Sequence, residues 1–355
     1  MSGANALHFL IPGDLQTPTG GYGYDRRIIA GLRDLGWRIE VHALKEGFPH
    51  PTAAALDAAH RTFAQLPDGA LVLVDGLALG ALPGIAHAHA ARLRLVALVH
   101  HPLAAENGLD AALARELARS ESRALEAVRH VVVTSGATKL ALHAFGVEPP
   151  RISVVEPGTD PAPMARRARG PVLQLLCVAA LIPRKGHELL FTALAALESR
   201  DWHLTCIGSL TRDPATAARL CAQVERSGLQ ERVTFTGEVD AAQLRQAYCG
   251  ADLFVLPTRF EGYGMAVAEA LAHGVPVIGT RVGAIADLVG CQAGRLVEPG
   301  DAAGLLRALS GAMTDPAVLD GLAAGAAAVR GTLPDWPQAC GRMSRTLAAL
   351  DQHPA

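Results

Sequence analysis

Short runs of valine, isoleucine and leucine alternate along this chain with longer segments that have helical periodicity. The runs are residues 7–11, 70–74, 93–99, 131–134 and 152–155, followed by 173–179, 204–207, 233–236, 253–256 and 275–279. A strand that is apolar along its whole length must be covered on both faces, as a parallel strand is in a sheet between layers of helices. The pattern therefore predicts an α/β fold built on parallel sheets.

The apolar runs fall into two series, and the segment between them, residues 156–171, has the composition of a linker. It contains four prolines, two glycines and three arginines. The full length of 355 residues suits two domains of ordinary size. We therefore expect two α/β halves joined near residue 165, with ligands at the carboxyl ends of the strands and a cleft between the halves. A separate helical segment, residues 338–350, follows the second half.

Composition argues against several classes of protein. The formal net charge is −2, so no broad basic surface points to a nucleic acid. The six cysteines are widely spread without a Cys-x-x-Cys pair, which favours a reducing compartment over a structural zinc site. No apolar run is long enough to span a bilayer, and the first residues do not resemble a signal peptide. We expect a cytoplasmic protein without a transmembrane segment, for which peripheral membrane contact stays open.

Two carboxylates flank a glycine-rich turn that directly follows the run at residues 253–256. Glu261 opens the turn, and Glu269 comes eight residues later, inside the helix that we expect to begin there. Ionised carboxylates accept hydrogen bonds from neighbouring sugar hydroxyls, and the N-terminus of a helix attracts phosphate. This pattern indicates a site for a phosphorylated, polyhydroxyl ligand. The alternative is one helix-capping acid and one surface acid.

A basic turn, Arg184-Lys185-Gly186, follows the run at residues 173–179. The chain has only three lysines, and one of them stands here, at the carboxyl end of a predicted strand. A forked guanidinium beside a compact ammonium suits a diphosphate. A solvated basic turn is the alternative. No Asp-x-Asp sequence occurs, so a carboxylate-held metal on the diphosphate is not expected.

Two further loops carry candidate binding groups in the first half. Gly20 and Gly21 lie in the loop 13–23, where glycines would let the backbone approach a phosphate, although the loop does not match a dinucleotide or P-loop pattern. His100 and His101 end the run at residues 93–99, which places at least one imidazole at the ligand edge. The alternative for the two glycines is an ordinary turn, and the alternative for the histidines is a structural role. The adjacent histidines are not expected to share a metal.

Residues 253–278, with acids at 261 and 269, look like the E-x7-E segment of a known enzyme family. The order of the other motifs agrees: the glycine pair 20–21, Thr134-Ser135 with Thr138, the linker start 157–160, the basic turn 184–186 and residues 294–301. On these motifs the chain resembles the retaining GT-B glycosyltransferases of family 4, also called group 1.

The resemblance implies a fold and a division of labour. It implies two Rossmann-like parallel-sheet domains that face each other across a cleft. Residues 1–165 would form the acceptor domain and residues 166–335 the sugar-nucleotide donor domain. Residues 336–355 would form a final helix that packs back toward the first domain.

The resemblance also implies roles for individual residues. Glu261 would contact the donor sugar, Glu269 the nucleotide ribose, and Arg184 and Lys185 the departing diphosphate. His100 would lie near the donor sugar and the acceptor. Further donor contacts would come from Gly20, Gly21, Val239, Gly262, Tyr263, Gly264 and Met265, and acceptor contacts from His101, Glu106 and Asn107.

The implied reaction moves a hexose from a nucleotide sugar, with UDP and GDP both suitable, to a hydroxyl of a saccharide, lipid-linked or small-molecule acceptor. The anomeric configuration would be retained, and neither a metal nor another cofactor would be needed. Two alternatives use the same architecture: a sugar-nucleotide epimerase and a phosphorylase that uses pyridoxal phosphate. The phosphorylase needs a lysine in the second half to form a Schiff base with pyridoxal phosphate, and only Lys185 is available there. A third is a protein that binds nucleotide sugars without catalysis, although such a protein need not keep both acids and both cations.

Overall fold

A computed structural model describes residues 5–106, 109–166, 170–199 and 201–351. The chain divides into two units, each with its own parallel sheet. The first unit contains Met1–Gly158 together with Pro334–Ala355, and the second contains Thr159–Leu333. The prediction of parallel α/β sheets is therefore confirmed.

Each sheet has six strands within the described residues, and all neighbouring strands are parallel. The strands of the first unit are β1 (Ala6–Pro12), β2 (Arg38–Leu44), β3 (Leu71–Asp75), β4 (Arg94–Val99), β5 (His130–Val133) and β6 (Ile152–Val154). Those of the second unit are β7 (Leu173–Val178), β8 (Trp202–Ile207), β9 (Val233–Gly237), β10 (Leu253–Leu256), β11 (Val277–Thr280) and β12 (Gly294–Val297).

Helices cover the sheets between the strands. In the first unit they are α1 (Gly20–Asp34), α2 (Ala53–Gln65), α3 (Gly76–Leu79), α4 (Pro83–His89), α5 (Ala111–Glu126) and α6 (Gly136–Ala141). In the second unit they are α7 (His187–Ala195), α8 (Pro214–Arg226), α9 (Ala241–Gly250), α10 (Met265–Ala272), α11 (Ile285–Val289), α12 (Ala302–Thr314) and α13 (Pro316–Val329). The last helix, α14 (Trp336–Asp351), belongs to the first unit.

The apolar runs identified the strands except for two that lie at sheet edges. β2 and β12 are each the outermost strand of their sheet. In β2 polar and apolar residues alternate, and β12 has only four residues, one of them an arginine. Neither strand therefore contains the continuous apolar run by which the others were recognised.

The strand order reverses once in each sheet, and the reversal defines where a ligand can enter. The orders are β2-β1-β3-β4-β5-β6 and β12-β11-β10-β7-β8-β9. The crossover passes from one side of β1 to the other in the first unit, and from one side of β7 to the other in the second. At such a point the loops after two neighbouring strands diverge and leave a crevice at the carboxyl edge.

The first helix begins earlier than expected. Residues 20–23, which we predicted to be part of a loop, form the first turn of α1, and the side chain of Thr19 accepts a hydrogen bond from the Tyr22 N–H at 3.3 Å. A threonine that caps the free N–H groups offsets the low helix propensity of the glycines that follow. Gly20 and Gly21 are therefore helical residues, and this part of the loop prediction is wrong.

The linker residues before 167 pack with the second unit. The Ala165 N–H donates to the His273 carbonyl at 2.7 Å, and the Arg166 N–H donates to the Cys249 carbonyl at 2.8 Å. The units consequently divide at residues 158 and 159, earlier than the expected boundary near residue 165. The sequence signal of prolines and glycines located the linker but did not show which unit holds it.

Helix α14 packs along α1. Gly31 lies under Cys340, and a Cβ atom at position 31 would come within 2.2 Å of the Cys340 Sγ. The Trp37 ring N–H donates to Ser344 Oγ at 2.9 Å, and the Arg27 guanidinium lies 4.8 Å from the centre of the Trp336 ring. The absence of a side chain at Gly31 is thus what allows the two helices to approach closely.

No helix in the described part of the chain is long and apolar enough to cross a bilayer. The six cysteines are all free thiols.

We predict that Gly31→Ala lowers the free energy of unfolding by about 1–3 kcal/mol, because the added methyl group overpacks the contact with Cys340. Urea denaturation measures the effect. Cys340→Ala in the same chain should recover part of the loss, since it removes the closer of the two clashing atoms. Gly321→Ala is the matched control: at this helical position an added Cβ would meet no atom within 4 Å, so alanine should stabilise by about 0.5–1 kcal/mol. Equal stability of the Gly31 and Gly321 variants would contradict the packing argument.

Candidate functional site

The basic turn and the acidic segment of the second unit follow β7 and β10, the two strands at its strand-order reversal. Gly186 has φ +74°, and a Cβ atom there would lie 2.0 Å from the Pro257 carbonyl oxygen, so only glycine permits this approach. The Arg184 carbonyl accepts hydrogen bonds from the Arg259 N–H at 2.7 Å and from Thr258 Oγ1 at 3.0 Å. These contacts fix the basic turn against the start of the acidic segment.

Glu261 is buried between two cations. Its carboxylate forms an ion pair with the Lys185 Nζ, and its Oε2 lies 3.7 Å from an Arg184 guanidinium nitrogen. Burial alone would raise the pKa of Glu261, but the charges of Lys185 and Arg184 outweigh burial and lower the pKa below its usual value. Glu261 is therefore an anion at neutral pH, and Lys185 and Arg184 are held beside it.

The backbone of Glu261 is held from the β11–α11 loop. Gly283 has φ +53°, and a Cβ atom there would lie 1.8 Å from the Glu261 carbonyl oxygen. The chain continues through Gly262 and the buried Tyr263, and α10 begins at Met265 with Gly264 as its cap. The first N–H groups of a helix have no partner within the helix and carry partial positive charge. The start of α10 thus adds anion-binding groups directly after Glu261.

Glu269 has a different environment from Glu261. It lies within α10, and the Tyr248 hydroxyl donates to its Oε2 at 2.9 Å. Burial raises the pKa of Glu269 above its usual value, although the hydrogen bond from Tyr248 acts in the opposite direction. Tyr248 in turn stacks on His273 with ring centres 5.0 Å apart. The structure therefore gives the two acids of the sequence motif separate partners.

Val239 borders a cavity of about 460 Å³ in the second unit. The cavity lies beside α9, and its lining includes Thr205, Ile207, Thr236 and Glu238 from the strands β8 and β9 and the turn after β9. Asp240 closes this turn as the cap of α9, with a reciprocal hydrogen bond from the backbone of Asp240 to Gln243. Val239 and its neighbours thus line a space large enough for part of a planar ligand.

A second cluster lies at the strand-order reversal of the first unit. His100 Nε2 is 3.2 Å from Asp25 Oδ1 and 3.4 Å from Asp75 Oδ2. Asp25 is fully buried, Asp75 is 3% exposed, and the His100 side chain retains 20% of its exposure. One imidazole edge therefore points between two buried carboxylates.

Each member of this cluster is positioned by a different element. Asp75 ends β3 and caps α3, where its Oδ1 accepts from the Leu77 N–H at 2.7 Å. Asp25 lies in α1. The His100 carbonyl accepts from Thr134 Oγ1 at 3.2 Å and from Thr138 Oγ1 at 3.4 Å. His100 is thus anchored by its backbone on one side and by its ring on the other.

The ring of His100 also packs against α1. Tyr24 meets it edge-on with ring centres 5.4 Å apart, and a Cβ atom at Gly21 would lie 3.4 Å from His100 Cδ2. Two residues that we predicted for the site, Gly21 and His100, are therefore in direct proximity. Gly21 provides room for the ring at the start of the helix.

The charges of the cluster favour a protonated imidazole. Burial alone would lower the pKa of His100, but Asp25 and Asp75 more than offset it and raise the pKa to about 10. Burial raises the pKa of Asp25 to about 6, with His100 opposing the rise and Asp75 adding to it. His100 is therefore an imidazolium held by two acids at neutral pH.

The segment after His100 contains the predicted acceptor residues. His101 Nε2 lies 3.5 Å from Glu106 Oε2, and both side chains are partly exposed. The Leu103 N–H between them donates to the buried Glu121 Oε2 at 2.8 Å, and burial raises the pKa of Glu121 to about 8. Asn107 lies outside the described residues.

Sequence reasoning missed Asp25, Asp75 and Tyr248. Asp75 ends an apolar run in the same way as the residues that were selected, so the rule that ligand groups follow strands could have found it. Asp25 and Tyr248 lie inside helices and reach their partners only through the fold, and no local pattern marks them.

We predict that Asp25→Asn lowers the pKa of His100 by at least about one unit, because a carboxylate that favours the imidazolium is lost. An NMR titration of labelled histidine measures the change. Since the pKa of His100 is raised from 6.5 to about 10, its contribution to stability is complete below pH 6.5 and is lost as the pH rises toward 10. Wild type should therefore lose stability relative to Asp25→Asn over this range. Asp110→Asn, at an exposed helix cap of the same unit, should change neither quantity.

Comparison with known proteins identifies the family. A model described as "Glycosyl transferases group 1" matches residues 173–315, and a model described as "Glycosyltransferase Family 4" matches residues 26–163. The MMP alpha-(1->4)-mannosyltransferase of Mycolicibacterium hassiacum is 27% identical over 76% of this chain and 68% of its own length. A D-inositol 3-phosphate glycosyltransferase of Corynebacterium glutamicum is 32% identical over 41% of this chain, and the match spans 38% of that protein.

Solved structures agree in fold. Sucrose-phosphate synthase from Thermosynechococcus elongatus superposes with a TM-score of 0.81 at 21% identity, over 98% of this chain and 99% of that one. The HepE protein of Anabaena, in complex with UDP-glucose, gives a TM-score of 0.78 at 19% identity, over 97% and 99%. The predicted GT-B fold of two Rossmann-like domains is confirmed. The two family models together span most of the sequence, and the chain belongs to the group 1 glycosyltransferases.

Proposed function

We propose that this protein transfers a hexose from a nucleoside diphosphate sugar to a hydroxyl acceptor, with retention of the anomeric configuration and without a metal ion. The observation that carries the proposal is the placement of Arg184 and Lys185 beside the Glu261 carboxylate, in the segment that leads into α10. This arrangement offers positive charge for a diphosphate and an anionic acceptor for sugar hydroxyls within a few ångströms of each other.

The cations address the main energetic problem of the reaction. When the bond between the anomeric carbon and the diphosphate breaks, negative charge develops on the leaving oxygen, and groups aimed at that charge lower the barrier. Arg184 and Lys185 are largely buried, with side chains 11% and 17% exposed. Their charges are therefore less screened than in water. They take the part that a metal ion takes in enzymes that hold their diphosphate through carboxylates.

Glu261 and Glu269 divide the remaining contacts to the donor. Glu261 is ionised, so it can accept hydrogen bonds from the hydroxyls of the sugar. Tyr248 holds Oε2 of Glu269, and we assign Oε1 to the ribose hydroxyls. Backbone groups near Val239 and the adjacent cavity then receive the base. The sugar is thereby assigned to Glu261 and the diphosphate to Arg184 and Lys185. The ribose is assigned to Glu269 and the base to the surroundings of Val239.

We assign the acceptor to the first unit, at the cluster of His100, Asp25 and Asp75. His100 carries a positive charge that two buried acids maintain. A fixed imidazolium can donate a hydrogen bond to a hydroxyl or stabilise negative charge on the donor. His101 and Glu106 lie on the segment that follows and are the nearest candidates for acceptor specificity. For the proton of the acceptor hydroxyl we propose front-face attack, in which the donor phosphate takes that proton.

The relatives suggest which donors to test first. The HepE protein of Anabaena was solved with UDP and with UDP-glucose, and several relatives are named mannosyltransferases. UDP-glucose and GDP-mannose are therefore the first two donors for a thermal-shift panel, since a bound donor stabilises the folded protein by mass action. A donor that raises the melting temperature is then the substrate for kinetic assays.

We predict that Glu269→Ala and Glu261→Ala have different effects. Glu269→Ala should weaken binding of the nucleotide by about tenfold or more, because a charge-assisted hydrogen bond to the ribose contributes about 1.5–3 kcal/mol. Glu261→Ala should mainly lower kcat, by about 100-fold or more, because the contact to the reacting sugar strengthens in the transition state. Calorimetry with the nucleoside diphosphate and steady-state kinetics measure the two effects.

Two controls accompany these variants. Glu231→Ala, at an exposed position of the second unit, should leave binding and turnover unchanged. Glu261→Gln keeps the size of the side chain, so it distinguishes loss of charge from loss of packing. If the two acids could be removed without an effect on either quantity, the pair would have only a structural role.

Retention and independence from metal are tested on the products. We predict that proton NMR of the fresh product shows the same anomeric configuration as the donor, and that EDTA leaves the rate unchanged. An inverted product, or loss of activity in EDTA that Mg²⁺ or Mn²⁺ restores, would contradict these parts of the proposal. Conversion of the donor sugar to its epimer without an acceptor would instead identify an epimerase, and binding without turnover would identify a binding protein.

A further inference from the structure

Three metal-ligating side chains converge on the β1–β2 strand pair of the first unit. His8 and Glu40 are direct partners in the parallel register, and His42 lies two residues beyond Glu40 on the same face of β2. His8 Nδ1 is 3.0 Å from His42 Nε2. The Glu40 carboxylate approaches both rings, with one oxygen 3.5 Å from His8 Nδ1 and the other 3.8 Å from His42 Nε2.

This cluster is separate from the groups assigned to sugar transfer. It lies within the paired strands, whereas Asp75 and His100 stand at or beyond the carboxyl ends of their strands. His8 and Leu10 are two residues apart on β1, as His42 and Leu44 are on β2, and residues two apart in a strand lie on the same face. The cluster therefore shares a face of the sheet with the core residues that pack on α2. The proposed sugar transfer uses none of the three residues.

The two ring nitrogens face each other in a way that a metal ion would suit. At 3.0 Å they can share one proton, so one nitrogen presents a lone pair to the other. Both imidazole side chains are mostly covered, with 16% and 20% exposure, while Glu40 is 66% exposed.

The distances agree with shared coordination. Two ligands that bind one zinc ion at about 2.0–2.2 Å with a tetrahedral angle lie about 3.3–3.6 Å apart. The two nitrogens are 3.0 Å apart, and they lie 3.5 and 3.8 Å from different oxygens of Glu40. These separations bracket that range, so small side-chain rotations bring both nitrogens and one carboxylate oxygen onto one ion. The strands fix the backbone positions through paired residues from Ala6 to Pro12 and from Arg38 to Leu44, so little ordering is needed on binding.

We propose that His8 Nδ1, His42 Nε2 and a carboxylate oxygen of Glu40 form a binding site for a zinc-type divalent transition metal. Imidazole with one carboxylate is a donor set that zinc, nickel and copper accept, and calcium and magnesium prefer oxygen ligands alone. The exposure of Glu40 leaves the remaining coordination positions to water. The ion would join the edge strand β2 to β1 and stabilise the sheet edge rather than take part in catalysis.

The test uses the full chain after treatment with a chelator and dialysis. Co²⁺ is titrated as a spectroscopic probe, and Zn²⁺ is then added as a competitor and measured by calorimetry. We expect one ion per chain, a visible Co²⁺ absorption band, and displacement of Co²⁺ by Zn²⁺. His8→Gln and His42→Gln should each weaken binding at least about tenfold, and Glu40→Gln should weaken it less, since an amide oxygen keeps one weak donor.

The matched control is His203→Gln. His203 lies on β8 of the second unit and bonds a threonine on the neighbouring strand at 2.9 Å, so it is a strand histidine in a similar pairing without a second imidazole. This variant should bind Co²⁺ as the wild type does. Circular dichroism and the thermal shift with the donor confirm that each variant is folded and binds its substrate.

Two outcomes would overturn the proposal. One is the absence of Co²⁺ and Zn²⁺ binding to the folded wild type at 100-fold excess of metal. The other is binding that survives both His8→Gln and His42→Gln but is lost in Asp25→Asn, which would assign the ion to the cluster around His100. Neither outcome would affect the proposed sugar transfer, which is measured in EDTA.

Discussion

In each sheet all strands point the same way, and this parallel arrangement determines where every chemical group of interest lies. Because strands of one direction end at one edge, residues far apart in sequence meet there. Lys185 and Glu261 are 76 positions apart, yet they form an ion pair across the neighbouring loops after β7 and β10. His100 likewise meets two acids from α1 and β3. The sites follow from the topology as much as from the residues themselves.

The charged groups at the two strand-order reversals are arranged with opposite signs. In the second unit one carboxylate, Glu261, lies between two cations. In the first unit one imidazole, His100, lies between two carboxylates. A buried charge without a partner is costly, so each central group is kept ionised by its neighbours before any ligand arrives.

The sequence predicted those features that depend on local pattern. Continuous apolar runs identified the buried strands, and the Glu261, Arg184 and His100 positions followed from their places after strands. Strands β2 and β12 were missed because polar residues interrupt their apolar residues, so neither contains a continuous apolar run. Asp25 was missed because a helix residue reaches His100 only through the packing of α1 on the sheet. Residues 20–23 were assigned to a loop because glycine content outweighed the cap that Thr19 provides.

The division of the chain has a consequence for the order of folding. The second unit is one continuous segment, Thr159–Leu333, whereas the first unit is interrupted by it and regains α14 only afterwards. During synthesis the surface of α1 around Gly31 and Tyr24 therefore stays uncovered until the whole second unit has been made. The nascent first unit therefore has an exposed apolar face until α14 is synthesised, and by then the second unit has had time to fold.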